Sequence, residues 1–362
     1  MKKRDQAICF LVVFLATGTL ISCGRSREVE QDAEARVEEA FTENGITDFE
    51  KMDLSAYGQQ AGVALADDYV SYHFFYESDG LAIEAYLGAP RELLEQKKPS
   101  DCLIYNHGGN RDYGALEGVE TTFYAYQYQT ICVASNYRGC GKSEGTDTFG
   151  GQDVDDVIHL VDLCEKMPFI DGEHINMLGV SRGGMMTYEA LRADDRIHRA
   201  VVVSGLADSF MEYEERDDMK EVYRELVGGT PQELPEEYEK RSATYWADQI
   251  NTPLFIFHTE ADDRVSIAQA EQLAAKLKAA GKEYQFISDG AGGHGEPSHD
   301  LPDEALLRIL TKMRLEGCLS IIKGNYDMEY SLYLAKKIGI HAGGGTEKLI
   351  QHLLKEVHGN SL

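Results

Sequence analysis

His174-Ile175-Asn176-Met177-Leu178-Gly179-Val180-Ser181-Arg182-Gly183-Gly184 reads as a strand that runs without a spacer into a helix starting at Arg182. A serine on so abrupt a turn needs small neighbours, because a Cβ on either side would strike the adjoining strand or helix. Gly179 and Gly183 supply that clearance and Gly184 extends it. A side chain lifted on such a turn is presented for attack, so the pattern Gly-x-Ser-x-Gly marks Ser181 as a candidate nucleophile.

Outward from this segment the chain alternates strand and helix. The apolar runs are CLIYNH (102–107), TICVASN (130–136), AVVVSG (200–205), PLFIFH (253–258) and EYQFIS (283–288). Helical stretches are expected near 115–128, over 152–167, from Arg182, over 266–280 and after Pro302. Short apolar runs separated by helices predict an α/β protein with a mainly parallel central sheet and helices on both faces. Before them, YVSYHFFYE and LAIEAYLGAP flank Ser78-Asp79-Gly80 as a hairpin, so the core is expected to begin near Tyr69. Residues 208–250 are acidic and rich in tyrosine and break the alternation, which predicts a small helical cap over the carboxyl edge of the sheet. No internal repeat points to a propeller or solenoid.

A serine hydroxyl becomes a nucleophile when a base takes its proton, and the base must be oriented by a carboxylate. Asp262 follows the run PLFIFH, and His294 lies in the glycine-rich loop Asp289 to Gly295. The order Ser, Asp, His is that of the α/β-hydrolase fold. Asp263 and His299 are the rivals within the two loops; His299 reads as the start of the next helix. The tetrahedral oxyanion needs two N–H donors. Arg182 offers one at the helix N-terminus, and His107-Gly108-Gly109-Asn110 offers the other, Gly109 first and Asn110 next. For His107 itself the expectation is an orienting hydrogen bond within this loop. Gly139-Cys140-Gly141-Lys142-Ser143 lacks the first glycine of a phosphate loop, since Asn136 stands there. Pro297 interrupts His294-Gly-Glu-Pro-Ser-His299 and rules out helical zinc-ligand spacing. Neither a metal nor a cofactor is expected.

The chain has 362 residues, and 62 acidic against 35 basic side chains give a net charge of −27. That excludes nucleic acid as a partner, which would need a dense basic surface. Lys2, Lys3 and Arg4 precede the apolar stretch Ala7 to Ile21, too short for a comfortable membrane span but suited to a secretory signal. Leu20-Ile21-Ser22-Cys23 resembles a bacterial lipobox, which implies a signal peptide over 1–22 and lipidation of Cys23. The expected location is therefore exported and anchored to the cell-membrane surface by lipid. Residues 23–68 read as an acidic tether and an amphipathic helix with Val29, Ala33, Val37, Ala40 and Phe41 on one face. Cys102, Cys132, Cys140, Cys164 and Cys318 show no CxxC spacing; Cys102 and Cys132 are expected as buried small hydrophobes.

Together these residues resemble the catalytic domain of the prolyl oligopeptidase family of serine peptidases. The resemblance is carried by His107-Gly-Gly, Asn136-Tyr-Arg-Gly139, Gly179-Val-Ser-Arg-Gly-Gly184 and Arg241-Ser through Tyr245 leading to Asn251-Thr-Pro253. Ala261-Asp-Asp-Arg-Val265 and Gly293-His-Gly295 complete it, and it covers about residues 70–316. It implies Ser181 as nucleophile, Asp262 as the acid and His294 as the base. It also implies that Leu206 to Arg216 borders the pocket for the residue before the scissile bond, with Leu206, Phe210, Tyr213 and Val265 as walls. The activity implied is cleavage of amide bonds in short peptides through an acyl-enzyme. A carboxylesterase acting on acyl esters is the second reading, and a non-catalytic ligand-binding lipoprotein the third. Two departures stand out: too few residues precede the first strand for the family's β-propeller, and Thr259-Glu260 replaces a small residue beside the acid loop. Residues 317–362 are read as a helical extension without an assigned role.

Overall fold

The computed structural model describes residues 33–55, 65–290 and 293–295. Residues 33–43 form helix α1, followed by β1 (Phe49–Lys51), α2 (Leu65–Asp68), β2 (Tyr69–Ser78), β3 (Leu81–Pro90) and α3 (Arg91–Glu95). Strand and helix then alternate through β4 (Ser100–Asn106), α4 (Val119–Tyr128), β5 (Ile131–Ser135), α5 (Asp153–Lys166), β6 (Ile170–Val180), α6 (Arg182–Ala193) and β7 (Arg199–Val203). Helices α7 (Ser209–Glu215), α8 (Met219–Leu226) and α9 (Pro235–Lys240) and two short 3₁₀ turns lead to β8 (Leu254–Thr259), α10 (Ile267–Ala279) and β9 (Tyr284–Asp289).

The strands form one sheet in the order β1-β2-β3-β5-β4-β6-β7-β8-β9. β1 to β3 are antiparallel, and β4 to β9 run parallel. This is the α/β-hydrolase fold. Side chains alternate across the sheet as the pleat requires. Cys102, Ile104, Met177, Val202 and Ile256 point to the face covered by α1, α5, α6 and α10, whereas Leu103, Leu178, Val201, Phe255 and Phe257 point to the face that α4 packs on. Because both faces are buried, these strands carry unbroken apolar runs rather than alternating ones. Cys102 and Cys132 are free and buried on opposite faces.

At the hairpin, Asp79 and Gly80 both have positive φ (53° and 79°), and Ser78 pairs with Leu81. A two-residue loop of that handedness matches the twist of the flanking strands. Core packing begins earlier than Tyr69: Ala33, Val37, Ala40 and Phe41 are buried at 0–1% exposure, with Phe41 against Phe49, Tyr72 and Phe74. The apolar stripe read from the sequence as one face of a helix after an acidic tether is thus part of the core, packed on β2. The N-terminal apolar stretch, Cys23, His299 and residues 317–362 lie outside the described residues. Among the described residues no helix is long and apolar enough to cross a membrane.

Candidate active site

The parallel strands deliver their loops to one carboxyl edge, and Ser181 stands at its centre. Its backbone has φ 59° and ψ −122°, a conformation that L-residues avoid. Hydrogen bonds hold it there: Ser181 N–H donates to Val203 O (3.1 Å), while its carbonyl accepts from Gly184 (2.9 Å) and Leu206 (3.1 Å). A Cβ on Gly179 would lie 2.2 Å from Gly183 O, and one on Gly183 would lie 1.9 Å from Asn106 O. The glycines expected from the sequence therefore do the steric work assigned to them.

Asp262 follows β8 and has a fully buried side chain. Both carboxylate oxygens lie 2.9 Å from His294 Nδ1, and Oδ1 accepts the backbone N–H groups of Arg264 (2.9 Å) and Val265 (3.0 Å). Burial alone would raise its pKa, but the bonds from His258, His294, Val265 and Arg264 outweigh it and hold the carboxyl far below the usual range. The carboxylate stays charged, so the Nδ1 that faces it carries the proton and Nε2 of His294 is left as a base. The histidine loop is seated by Thr259 Oγ1, which donates to Gly293 O (2.8 Å), and by Gly295 N–H, which donates to Ser204 Oγ (2.9 Å). A Cβ on Gly295 would touch Val180 Cγ1 at 3.7 Å, which puts the loop beside the residue preceding Ser181. Asp263 is exposed, so geometry selects Asp262 over it.

Gly108 lies against Ser181: a Cβ there would sit 3.1 Å from Ser181 Cβ and 3.6 Å from its Oγ. Gly109 follows with φ +85°, and a Cβ would lie 1.8 Å from Tyr113 O. Among the described residues, the backbone N–H groups of Arg182 and Gly109 have no acceptor. Asn110 is bridged to Tyr113 and its side chain accepts from Arg111, which leaves Gly109 as the better-placed donor. His107 stacks on Tyr137 at 4.4 Å, and its Nδ1 lies 2.8 Å from Gly108 O, so Nδ1 is the donor. Burial, with the Arg182 charge nearby, pushes its pKa down to about 4 and keeps it neutral.

The sequence reading missed three participants. His258 is wholly buried, with Nε2 2.8 Å from Val265 O and 3.3 Å from Asp262 Oδ2. Asp147 and Asp153 hold the Arg182 guanidinium. Their positions in the glycine-rich stretch Gly145 to Asp153 mark a turn, but nothing in the spacing identifies their partner. The four expected pocket residues do gather in one apolar cluster with Phe149, Met185, Tyr223 and Tyr238. Leu206, Tyr213 and Val265 are buried within it, while Phe210 is half-buried and packs between Tyr238 (5.4 Å) and the exposed Tyr245 (5.1 Å). Among the described residues no group of three or more acidic, His or Cys side chains could hold a metal ion.

Comparison with known proteins places the chain in a family. The model of the prolyl oligopeptidase family matches residues 119–310, more than half of the chain and the part that carries Ser181, Asp262 and His294. The chain is 31% identical over 208 residues to "Uncharacterized peptidase YtmA" of Bacillus subtilis (strain 168), covering 57% of this chain and 79% of that protein. It is 28% identical over 148 residues to dipeptidyl-peptidase 5 of Porphyromonas gingivalis, covering 39% of this chain but only 22% of that one. The acylaminoacyl peptidase of Pyrococcus horikoshii superposes with a TM-score of 0.56 at 22% identity, over 78% of this chain and 44% of that one, which shows a shared fold. This chain thus spans less than half of these two larger relatives. Elbow serine, matched sequence and shared architecture converge: the chain belongs to the prolyl oligopeptidase family, and it is a serine hydrolase of peptidase kind.

Proposed function

We propose that this enzyme cleaves amide bonds of short peptides through an acyl-enzyme on Ser181. The observation that carries this reading is the buried Asp262 carboxylate holding His294 beside the strained Ser181 turn. In the reaction, Ser181 Oγ adds to the scissile carbonyl as His294 Nε2 takes its proton. The oxyanion lies against the N–H groups of Arg182 and Gly109. His294 then gives the proton to the leaving amine as the C–N bond breaks, and later takes one from the water that releases the acyl group. Asp262 fixes the tautomer and supports the imidazolium. Names among the relatives, dipeptidyl-peptidase and acylaminoacyl peptidase, support short peptides over acyl esters as substrates. Leu206, Phe210, Tyr213 and Val265 belong in this reading to the wall of the acyl side-chain pocket, with half-buried Phe210 presenting the accessible face. A fluorophosphonate probe tests the reading: an adduct on Ser181 that Ser181→Ala abolishes is expected, and a folded protein that takes no label refutes it. Faster turnover of acyl esters than of peptide amides would replace the peptidase by an esterase.

The proposal includes a lipid anchor at Cys23, supported by the Leu20-Ile21-Ser22-Cys23 motif. Arg36 donates to Leu94 and Gln96 carbonyls, and Glu34 pairs with Arg91, so α1 starts at the edge of the sheet where β3 ends and β4 begins. Ser181 stands at the opposite edge. Metabolic labelling with a radioactive fatty acid, lost in Cys23→Ala, checks the anchor.

A further inference from the structure

The loop that supplies the second oxyanion donor is intrinsically soft. Gly108 and Gly109 let the backbone approach the nucleophile, but consecutive glycines also give it the most conformational freedom a chain can have. A donor that stabilises a transition state must already be in place when charge develops. Something outside the loop has to hold it.

The only guanidinium bonded to Gly109 among the described residues is that of Arg182. Its Nη1 donates to Gly109 O (3.2 Å) and to Asp147 Oδ2 (2.9 Å), while Nη2 donates to Asp147 Oδ1 (2.7 Å) and to Asp153 Oδ2. The side chain is 2% exposed and lies between the rings of Tyr137 (5.2 Å) and Phe149 (5.1 Å). Asp147 is in turn tied to the loop, since its Oδ2 accepts the Arg111 N–H (2.7 Å). Both flanks of the Gly109-Asn110 segment are therefore fastened to one buried cation, which comes from the residue whose own N–H is the first oxyanion donor. We propose that the Arg182 side chain, locked by Asp147 and Asp153, is a positioning residue that holds Gly109 N–H at the oxyanion. It rests on the Ser181 acyl-enzyme reading above.

A planar fork that reaches four acceptor atoms on three residues cannot be replaced by a lysine, which is a point charge on a flexible stem. The pair of variants to compare is thus Arg182→Lys and Asp147→Asn; the second keeps the shape and the Arg182 side chain and remains informative if the first fails to fold. Arg138→Lys is the control, because Arg138 makes a comparably buried pair with Asp156 (2.7 Å) away from the loop. One portion of each protein is tested for labelling by a fluorophosphonate, and a separate unlabelled portion is assayed for kcat and KM on a peptide amide and for inhibition by the matching peptidyl trifluoromethyl ketone, whose hemiketal places an oxyanion in the hole. The expected result is a fall of at least about tenfold in kcat for Asp147→Asn with KM little changed, and an equal loss of trifluoromethyl ketone affinity. The control should lose stability but keep both values. If folded Asp147→Asn keeps kcat, or loses it without weakening the inhibitor, Arg182 braces the fold alone and the proposal fails. A wild-type protein that takes no label at Ser181 overturns the hydrolase reading itself.

Discussion

Replacing Ser181 by glycine should make the protein more stable than replacing it by alanine, the reverse of what the two residues do in most positions. At φ 59° and ψ −122° a Cβ-bearing residue stores about 1–3 kcal/mol. The turn cannot relax, because the Ser181 N–H and carbonyl are bonded to Val203, Gly184 and Leu206, and because Gly183 is pressed against Asn106 O. Glycine releases the strain but costs about 0.5–1 kcal/mol in chain entropy relative to alanine. The balance favours Ser181→Gly over Ser181→Ala by about 1 kcal/mol. Both variants lack the hydroxyl, so its own bonds cancel in the comparison. Equilibrium urea unfolding at neutral pH measures the difference, and a melting temperature higher by about 2–4 °C should accompany it. A glycine variant no more stable than the alanine variant would refute the claim that the nucleophile's backbone is strained.

Asp262→Asn should lower kcat by about 10⁴-fold by allowing the wrong His294 tautomer, whereas Asp263→Asn should leave turnover unchanged; steady-state assays of the two decide between the acids. Burial raises the Glu212 carboxyl to about 7, against the Gln269 hydrogen bond and the nearby Arg216 charge that lower it. Folded Glu212 therefore keeps a proton that the unfolded chain releases from about pH 4.5 upward, so its contribution to stability, on the order of 3 kcal/mol below that pH, is lost as pH rises to about 7. His107 acts over nearly the same range with the opposite sign: with its pKa at about 4 in the fold, only the unfolded chain takes up a proton as pH falls below about 6.5. Its contribution is lost by a similar amount as pH falls through that range, so the two offset each other in the wild-type protein; urea titration should show stability falling toward acid in Glu212→Gln and rising toward acid in His107→Asn.

The parallel sheet was legible because β4 to β9 are buried on both faces and each shows this as a short apolar run next to a helix. Helix α1 was recognisable as amphipathic but not as core. Val37 and Phe41 state that one face needs cover, and nothing local states that β2 and β3 provide it. The antiparallel start of the sheet was visible for the opposite reason: Asp79-Gly80 is a turn whose chemistry is contained in two residues.

The same division runs through the active site. Ser181, Asp262 and His294 could be singled out as candidates because each occupies a strand end, where a loop of special composition marks it. Asp147 and Asp153 carry no such mark, since carboxylates before a helix are ordinary capping or solvated residues, and the sequence is already strongly acidic. Their role depends on Arg182 folding back from the elbow between Tyr137 and Phe149, a contact that bridges about thirty residues of chain. Removing that arginine would leave two buried carboxylates unpaired, a loss of about 3–5 kcal/mol and far more than an exposed ion pair is worth. A buried cation offset by two anions is an expensive way to fill a core. Its position argues that what it secures is geometry: the Gly108-Gly109 segment that lies against Ser181.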